Sequence, residues 1–203
     1  MSIKLSENMG RTIGIFGGSF NPIHVGHAII ANYVMQHTAL DQLWLMVAPE
    51  NPFKQGQRLA PDTDRLRMTE MVTRRLEHVT TSAFEFQLPK PSYTIDTLTA
   101  LQKRFPDDEF FLVVGADNWA AWDRWKSHDE ILANHHVLVY PRQGYDVIIP
   151  PELAHRVTLV DAPGIEVSST EIREAVAQQR SISFYVTDDV ELYIYKNKLY
   201  INE

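Results

Sequence analysis

Short apolar runs recur along this chain, each broken by glycine or proline and followed by residues at helical spacing. That alternation narrows the fold more than any other feature. Ile13 to Phe16 ends at Gly17-Gly18, Leu43 to Val47 leads into a polar loop between Pro49 and Pro61, and Phe110 to Val114 stops at Gly115-Ala116-Asp117. Val137 to Tyr140 is closed by Pro141-Arg142-Gln143-Gly144, Val157 to Val160 is a last short strand, and Val79 to Phe86 reads as extended chain. Helical spacing follows from Ala28 to about Thr38, from Asp62-Thr63-Asp64 through Leu76, from Ile95 to before Pro106, and from Ser127 to Ala133. Ser168-Ser169-Thr170 caps a helix over about Glu171 to Gln178, and Asp188-Asp189 opens a last one. Continuous apolar strands between helices predict a doubly wound, Rossmann-like α/β fold: a parallel sheet with helices on both faces and a small C-terminal helical region.

No repeat, low-complexity tract or Gly/Ser linker interrupts the 203 residues, so the expectation is a single domain over 1–203, with 1–10 as a flexible N-terminal extension. The absence of cysteine excludes disulfides, thiolate catalysis and Cys-ligated metals. A formal charge of −7 disfavours nucleic acid and anionic membranes as partners, and no apolar stretch approaches the length of a membrane span. Residues 1–8 lack the apolar core of a signal peptide, so a cytoplasmic protein is expected; self-association is left open.

In open parallel sheets the ligand crevice lies beyond the carboxyl ends of the strands. Gly17-Gly18, Gly115-Ala116-Asp117 and Pro141-Arg142 all fall there. Between the first of these and the next helix stands Ser19-Phe20-Asn21-Pro22-Ile23-His24-Val25-Gly26-His27. Two imidazoles three residues apart at a helix start share one face, where free N–H groups and the positive dipole end point the same way. That combination predicts an anion site suited to a nucleotide phosphate. A zinc reading is weaker, because no third ligand stands at metal spacing and flanking glycines suit an anion nest. His37, His78, His128, His135, His136 and His155 read as ordinary surface or core histidines. Asp117, beside a glycine turn, suits a ribose hydroxyl, and Asn21 suits the shaping of its own loop rather than a metal ligand.

Gly17-Gly18-Ser19-Phe20-Asn21-Pro22-x-His24-x-Gly26-His27, paired with Ser168-Ser169-Thr170-x-Ile172-Arg173, resembles the two signatures of the nucleotidyltransferase superfamily. Pro91-Ser92-Tyr93-Thr94 with Thr97-Leu98, Gly115-Ala116-Asp117 and Trp125 narrow the resemblance to the nicotinate mononucleotide adenylyltransferases, in order from about Gly14 to Tyr200. The resemblance implies adenylyl transfer from ATP, accompanied by Mg²⁺, to nicotinate mononucleotide, releasing pyrophosphate. It implies that His24, His27 and Arg173 are catalytic, and that ATP is held by Gly17, Gly18, Ser19, Phe20, Gly26, Gly115, Asp117, Ser169, Thr170 and Arg173. Lys54, Tyr93, Thr94, Trp125 and Arg142 would bind the acceptor substrate. Nicotinamide mononucleotide and phosphopantetheine are the alternative acceptors, and a non-catalytic nucleotide-binding regulator is the alternative of another class.

Overall fold

Apolar strands that must hide both faces can do so only inside a sheet sandwiched by helices, and this chain builds one. The computed structural model describes residues 10–49 and 59–201. Its strands are β1 (Thr12–Gly18), β2 (Gln42–Val47), β3 (Val79–Ser82), β4 (Glu109–Gly115), β5 (His136–Tyr140) and β6 (Val157–Leu159). They form one sheet of order β3-β2-β1-β4-β5-β6, every pair parallel. The helices are α1 (Val25–His37), α2 (Asp62–Thr73), α3 (Thr94–Arg104), α4 (Ala116–Ala120), α5 (His128–Asn134), α6 (Ser169–Ala177) and α7 (Asp188–Lys196).

Two apolar layers divide the core along the pleat. Phe16 on β1 faces Ile30 and Val34 of α1, Met68 and Val72 of α2, Ile172 of α6 and Val190 of α7. Its strand neighbours Ile13 and Ile15 face the other way, toward Ile95, Leu98 and Leu101 of α3 and Ile131 of α5. The expected C-terminal helical region is present, and its helices α6 and α7 complete the same layer as α1 and α2. The order reverses between β1 and β4, which leaves a crevice at their carboxyl ends.

Three local expectations need correction. Gly17 and Gly18 do not form the turn; they extend β1 and pair with Met46 and Val47, and the chain turns at Ser19 to Pro22, with Phe20 in the left-handed region at φ 44. The extended run expected over Val79 to Phe86 stops at Ser82 and winds into a 3₁₀ turn, Phe84–Gln87, which carries Glu85 inward to two hydroxyls. The helix expected from Glu171 starts two residues earlier, at Ser169, because Ser168 is the cap: its Oγ accepts from Glu171 N and the Glu171 carboxylate accepts from Ser168 N. The expected N-terminal extension, except Gly10, and Lys54 with most of its loop lie outside the described residues.

Candidate active site

Two recesses occupy the crevice, with Phe16 and Tyr140 in the walls of both. The smaller is lined by Phe16, His24, Gly26, His27, Tyr140, Arg142 and neighbours, at the N-terminus of α1. The larger, about 380 Å³, runs from Gly17-Gly18 and Val113 to Gly115 toward the start of α3.

The imidazoles of His24 and His27 lie face to face, ring centres 3.7 Å apart and tilted 34°. His24 N–H donates to His27 Nδ1 at 3.3 Å. A ring nitrogen that accepts a backbone proton is bare, so the neutral His27 ring carries its hydrogen on Nε2 as a donor. Burial, with Arg142 adding like charge, pushes the His24 imidazole down to about 3 from its ordinary 6.5. His24 is therefore a neutral ring at pH 7. The unfolded chain binds that proton near pH 6.5 and the folded one only near 3, so this group's contribution to stability is lost as pH falls through that window.

The expectation of free N–H groups at the start of α1 also changes. His24 N is bound to the His27 ring, Val25 N donates to Tyr185 O at 2.9 Å, and His27 N turns back to His24 O. Of the first four, Gly26 N alone has no acceptor among the described residues. An anion at this helix start would therefore meet mostly side-chain donors.

Close packing explains two of the glycines. A Cβ on Gly26 would stand 2.9 Å from His24 Nδ1 and 3.3 Å from Ile165 Cγ2, so any larger residue displaces the His24 ring. Gly26→Ala is expected to lower turnover about ten- to a hundredfold while the thermal midpoint barely moves, since alanine gains about 0.5–1 kcal/mol of helix preference. Steady-state kinetics beside a melting curve test this, and unaltered turnover would refute the contact. A Cβ on Gly18 would meet the Phe20 ring at 3.0–3.2 Å. Phe20 itself is 1% exposed and sets its edge against His27, ring centres 5.0 Å apart. Its side chain packs beneath the His27 ring rather than into the open recess.

The second motif closes onto the first. Ser169 Oγ donates to Pro22 O at 2.9 Å, Arg173 Nη1 to Asn21 O at 3.0 Å, and Arg173 Nη2 to Thr170 Oγ1 at 3.4 Å. Asn21 Oδ1 accepts from Ala60 N and from Tyr200 Oη, both at 3.0 Å, so its two lone pairs are spent on the fold. Across the crevice, Asp117 Oδ1 stands 3.5 Å from Arg142 Nε, and a Cβ on Gly115 would strike that carboxylate at 2.4 Å. Ser19 contributes its carbonyl to a buried arginine, described next.

Sequence reasoning missed that arginine, Arg65 of α2, which has no solvent exposure. It donates to Ser19 O at 2.6 Å, Ala48 O at 2.7 Å, Ala60 O at 3.1 Å and Pro49 O at 3.3 Å, and pairs with Asp62. It therefore ties the turn after β1 to the chain after β2.

The larger recess gathers Tyr93, Thr94 and Trp125, and adds Glu85, Ser92, Asn118, Arg124, Lys126 and Tyr140, which were not singled out. Trp125 stacks on the buried Trp122 at 5.2 Å, and Lys126 Nζ sits 4.6 Å over the Tyr93 ring while pairing with Asp96. Glu85, pushed up by burial, accepts from Thr97 Oγ1 at 2.9 Å and Ser92 Oγ at 3.3 Å. Tyr93 caps α3 without a side-chain bond, so the N–H groups of Thr94, Ile95 and Asp96 have no acceptor among the described residues. An aromatic wall, an open helix start and two cationic side chains can hold a flat anionic ring. The flanks of Trp125, Arg124 and Lys126, carried the available signal for the latter two.

The sequence pattern of the cytidylyltransferase-like family matches residues 15–175. Two relatives, both named as probable nicotinate-nucleotide adenylyltransferases, come from Bacteroides thetaiotaomicron and Bacteroides fragilis. The first is 41% identical over 192 residues, covering 95% of each chain. The second is 44% identical over 173 residues, covering 85% of this chain and 86% of the relative. Among solved structures, Plasmodium falciparum nicotinic acid mononucleotide adenylyltransferase complexed with NaAD superposes with a TM-score of 0.79. It is 18% identical, over 95% of this chain and 98% of that one, so it speaks to the fold.

Proposed function

This chain belongs to the cytidylyltransferase-like family, with nicotinate-nucleotide adenylyltransferases as its relatives, and from that premise we propose that its crevice joins ATP to nicotinate mononucleotide. The products are nicotinate adenine dinucleotide, an intermediate of NAD biosynthesis, and pyrophosphate. The observation that carries this reading is the recess of Tyr93, Thr94 and Trp125 lying beside the His24–His27 recess, with Phe16 and Tyr140 in the walls of both.

The chemistry asks little of the protein. A phosphate monoester has a second pKa of about 6, so the attacking phosphate arrives ionised and needs no base. One of its oxygens bonds to the α-phosphorus of ATP as the bond from that phosphorus to the bridging oxygen breaks, and the electron pair leaves with pyrophosphate. Positioning and charge stabilisation then supply the rate. His27 Nε2–H and the neutral His24 ring donate to the phosphates at the reacting centre. Arg173, with the Thr170 hydroxyl and the backbone N–H groups of Ser169 and Thr170 at the start of α6, holds the departing pyrophosphate, where a planar guanidinium can grip two oxygens; the Ser169 hydroxyl itself is committed to Pro22 O. Asp117 accepts from the ribose of ATP, with Arg142 beside it.

Mg²⁺ bound with ATP would neutralise charge on its phosphates; such an ion keeps several waters and takes few protein ligands. Asn21 is not among them, because its oxygen is already doubly engaged. Arg124, Lys126 and the open start of α3 favour the carboxylate of nicotinate over the carboxamide of nicotinamide. The charge balance supports small nucleotides rather than nucleic acid as partners, and no described helix is long and apolar enough to cross a membrane. The reading places the work in the cytoplasm.

Pyrophosphate release with ATP, Mg²⁺ and each of three acceptors tests the reading. Release is expected to be fastest with nicotinate mononucleotide, at least tenfold slower with nicotinamide mononucleotide, and absent with phosphopantetheine. No release with any acceptor would favour a nucleotide-binding regulator and overturn the proposal.

A further inference from the structure

Of the described residues, only Phe16 and Tyr140 line both recesses of the crevice. Phe16 offers no polar atom, so the one side-chain hydrogen-bonding group at the junction is the Tyr140 hydroxyl. We propose that Tyr140 is a further catalytic residue, whose phenol donates a hydrogen bond to the phosphates as they are joined between the two recesses. The proposal rests on the adenylyl-transfer reading above.

Backbone placement aims the ring. Tyr140 ends β5 and stands in register with Gly115, the last residue of β4. A Cβ on Gly115 would come within 3.2 Å of Tyr140 Cζ, so the hydroxyl-bearing end lies over that glycine, at the rim where Asp117 and Arg142 pair. The ring is fixed there by an edge-on contact with Phe16, centres 5.6 Å apart at 69°.

Tyr140 is 8% exposed, and its hydroxyl opens into the crevice rather than being sealed in the core. No hydrogen bond to a described residue engages it, and phenylalanine would pack against Phe16 equally well, so the hydroxyl is available to a phosphate oxygen passing from one recess to the other. Burial pushes the phenol up to about 12, with Arg142 pulling down and Asp117 pushing up, so it stays a donor across the working pH range. No proton is transferred: the phenol donates a hydrogen bond and keeps its hydrogen.

Tyr140→Phe tests the hydroxyl alone. Pyrophosphate release with saturating ATP, Mg²⁺ and nicotinate mononucleotide is expected to fall about ten- to a hundredfold in kcat. Both KM values should stay within about threefold, and the thermal midpoint should hold or rise. A kcat within twofold of the parent overturns the proposal, as does a loss confined to the acceptor KM, which would make the ring a cavity wall only. Calorimetric binding of nicotinate adenine dinucleotide reads the contact without turnover, with about tenfold weaker binding expected in the variant. Equal affinity overturns the proposal. A parent that releases no pyrophosphate overturns the functional reading instead, and the calorimetric comparison then still decides the phenol contact.

Discussion

His27→Ala should lower kcat by about a thousandfold while the protein remains folded, because it removes the donor that meets charge developing at the α-phosphorus. Its structural cost is small by comparison. The ring accepts one backbone bond at the start of α1, and losing such a cap costs about 1 kcal/mol, or about 2–4 °C in a chain of this size. Two further substitutions separate the ring's nitrogens. Asparagine places an oxygen near the position of Nδ1 and can still accept from His24 N–H, whereas glutamine reaches toward the position of Nε2. If Nε2–H is the donor, His27→Gln keeps more activity than His27→Asn, and His27→Asn keeps more of the melting temperature. The reverse order in pyrophosphate release would transfer the chemistry to Nδ1 and sink the tautomer derived from the backbone contact.

The His24–His27 pair was legible because its residues are neighbours in sequence. Glycines at a strand end, two histidines three apart and a helix start all sit within fourteen residues, so local periodicity alone brings them together. The sheet was legible for a similar reason: a strand buried on both faces advertises itself as a continuous apolar run. What composition could not show is how tightly the site is satisfied. Val25 N–H is consumed by Tyr185 O, 160 residues away, and no local pattern announces that pairing. Glu85 read as part of an extended run because a 3₁₀ turn of four residues leaves no periodic signature, and its hydroxyl partners become visible only when α3 lies beside it. Tyr140 read as the end of a strand, and its reach over Gly115 depends on a neighbouring strand that begins more than twenty residues earlier.

Replacement of Arg65 by alanine or methionine is expected to destabilise the fold by about 3–5 kcal/mol, lowering the midpoint by about 10 °C or more. In sequence, Asp62-Thr63-Asp64-Arg65 looks like a solvated first helical turn, with an i,i+3 ion pair of little worth. The ion pair is indeed the lesser part, since Asp62 is 41% exposed and its charge is screened by solvent. The carbonyls decide the outcome. Ser19, Ala48, Pro49 and Ala60 each present an oxygen to one buried guanidinium, and truncating it strands several buried acceptors together, at about 1–3 kcal/mol apiece before relaxation. Lysine restores the charge but not the planar fork, so Arg65→Lys should recover only part of the loss. Because the same guanidinium fixes the turn that leads to His24, the variants should also lose turnover at temperatures where they remain folded. Denaturant melts and initial rates at 15 °C would separate the two effects, and a midpoint within 2 °C of the parent would show that the carbonyls find other donors.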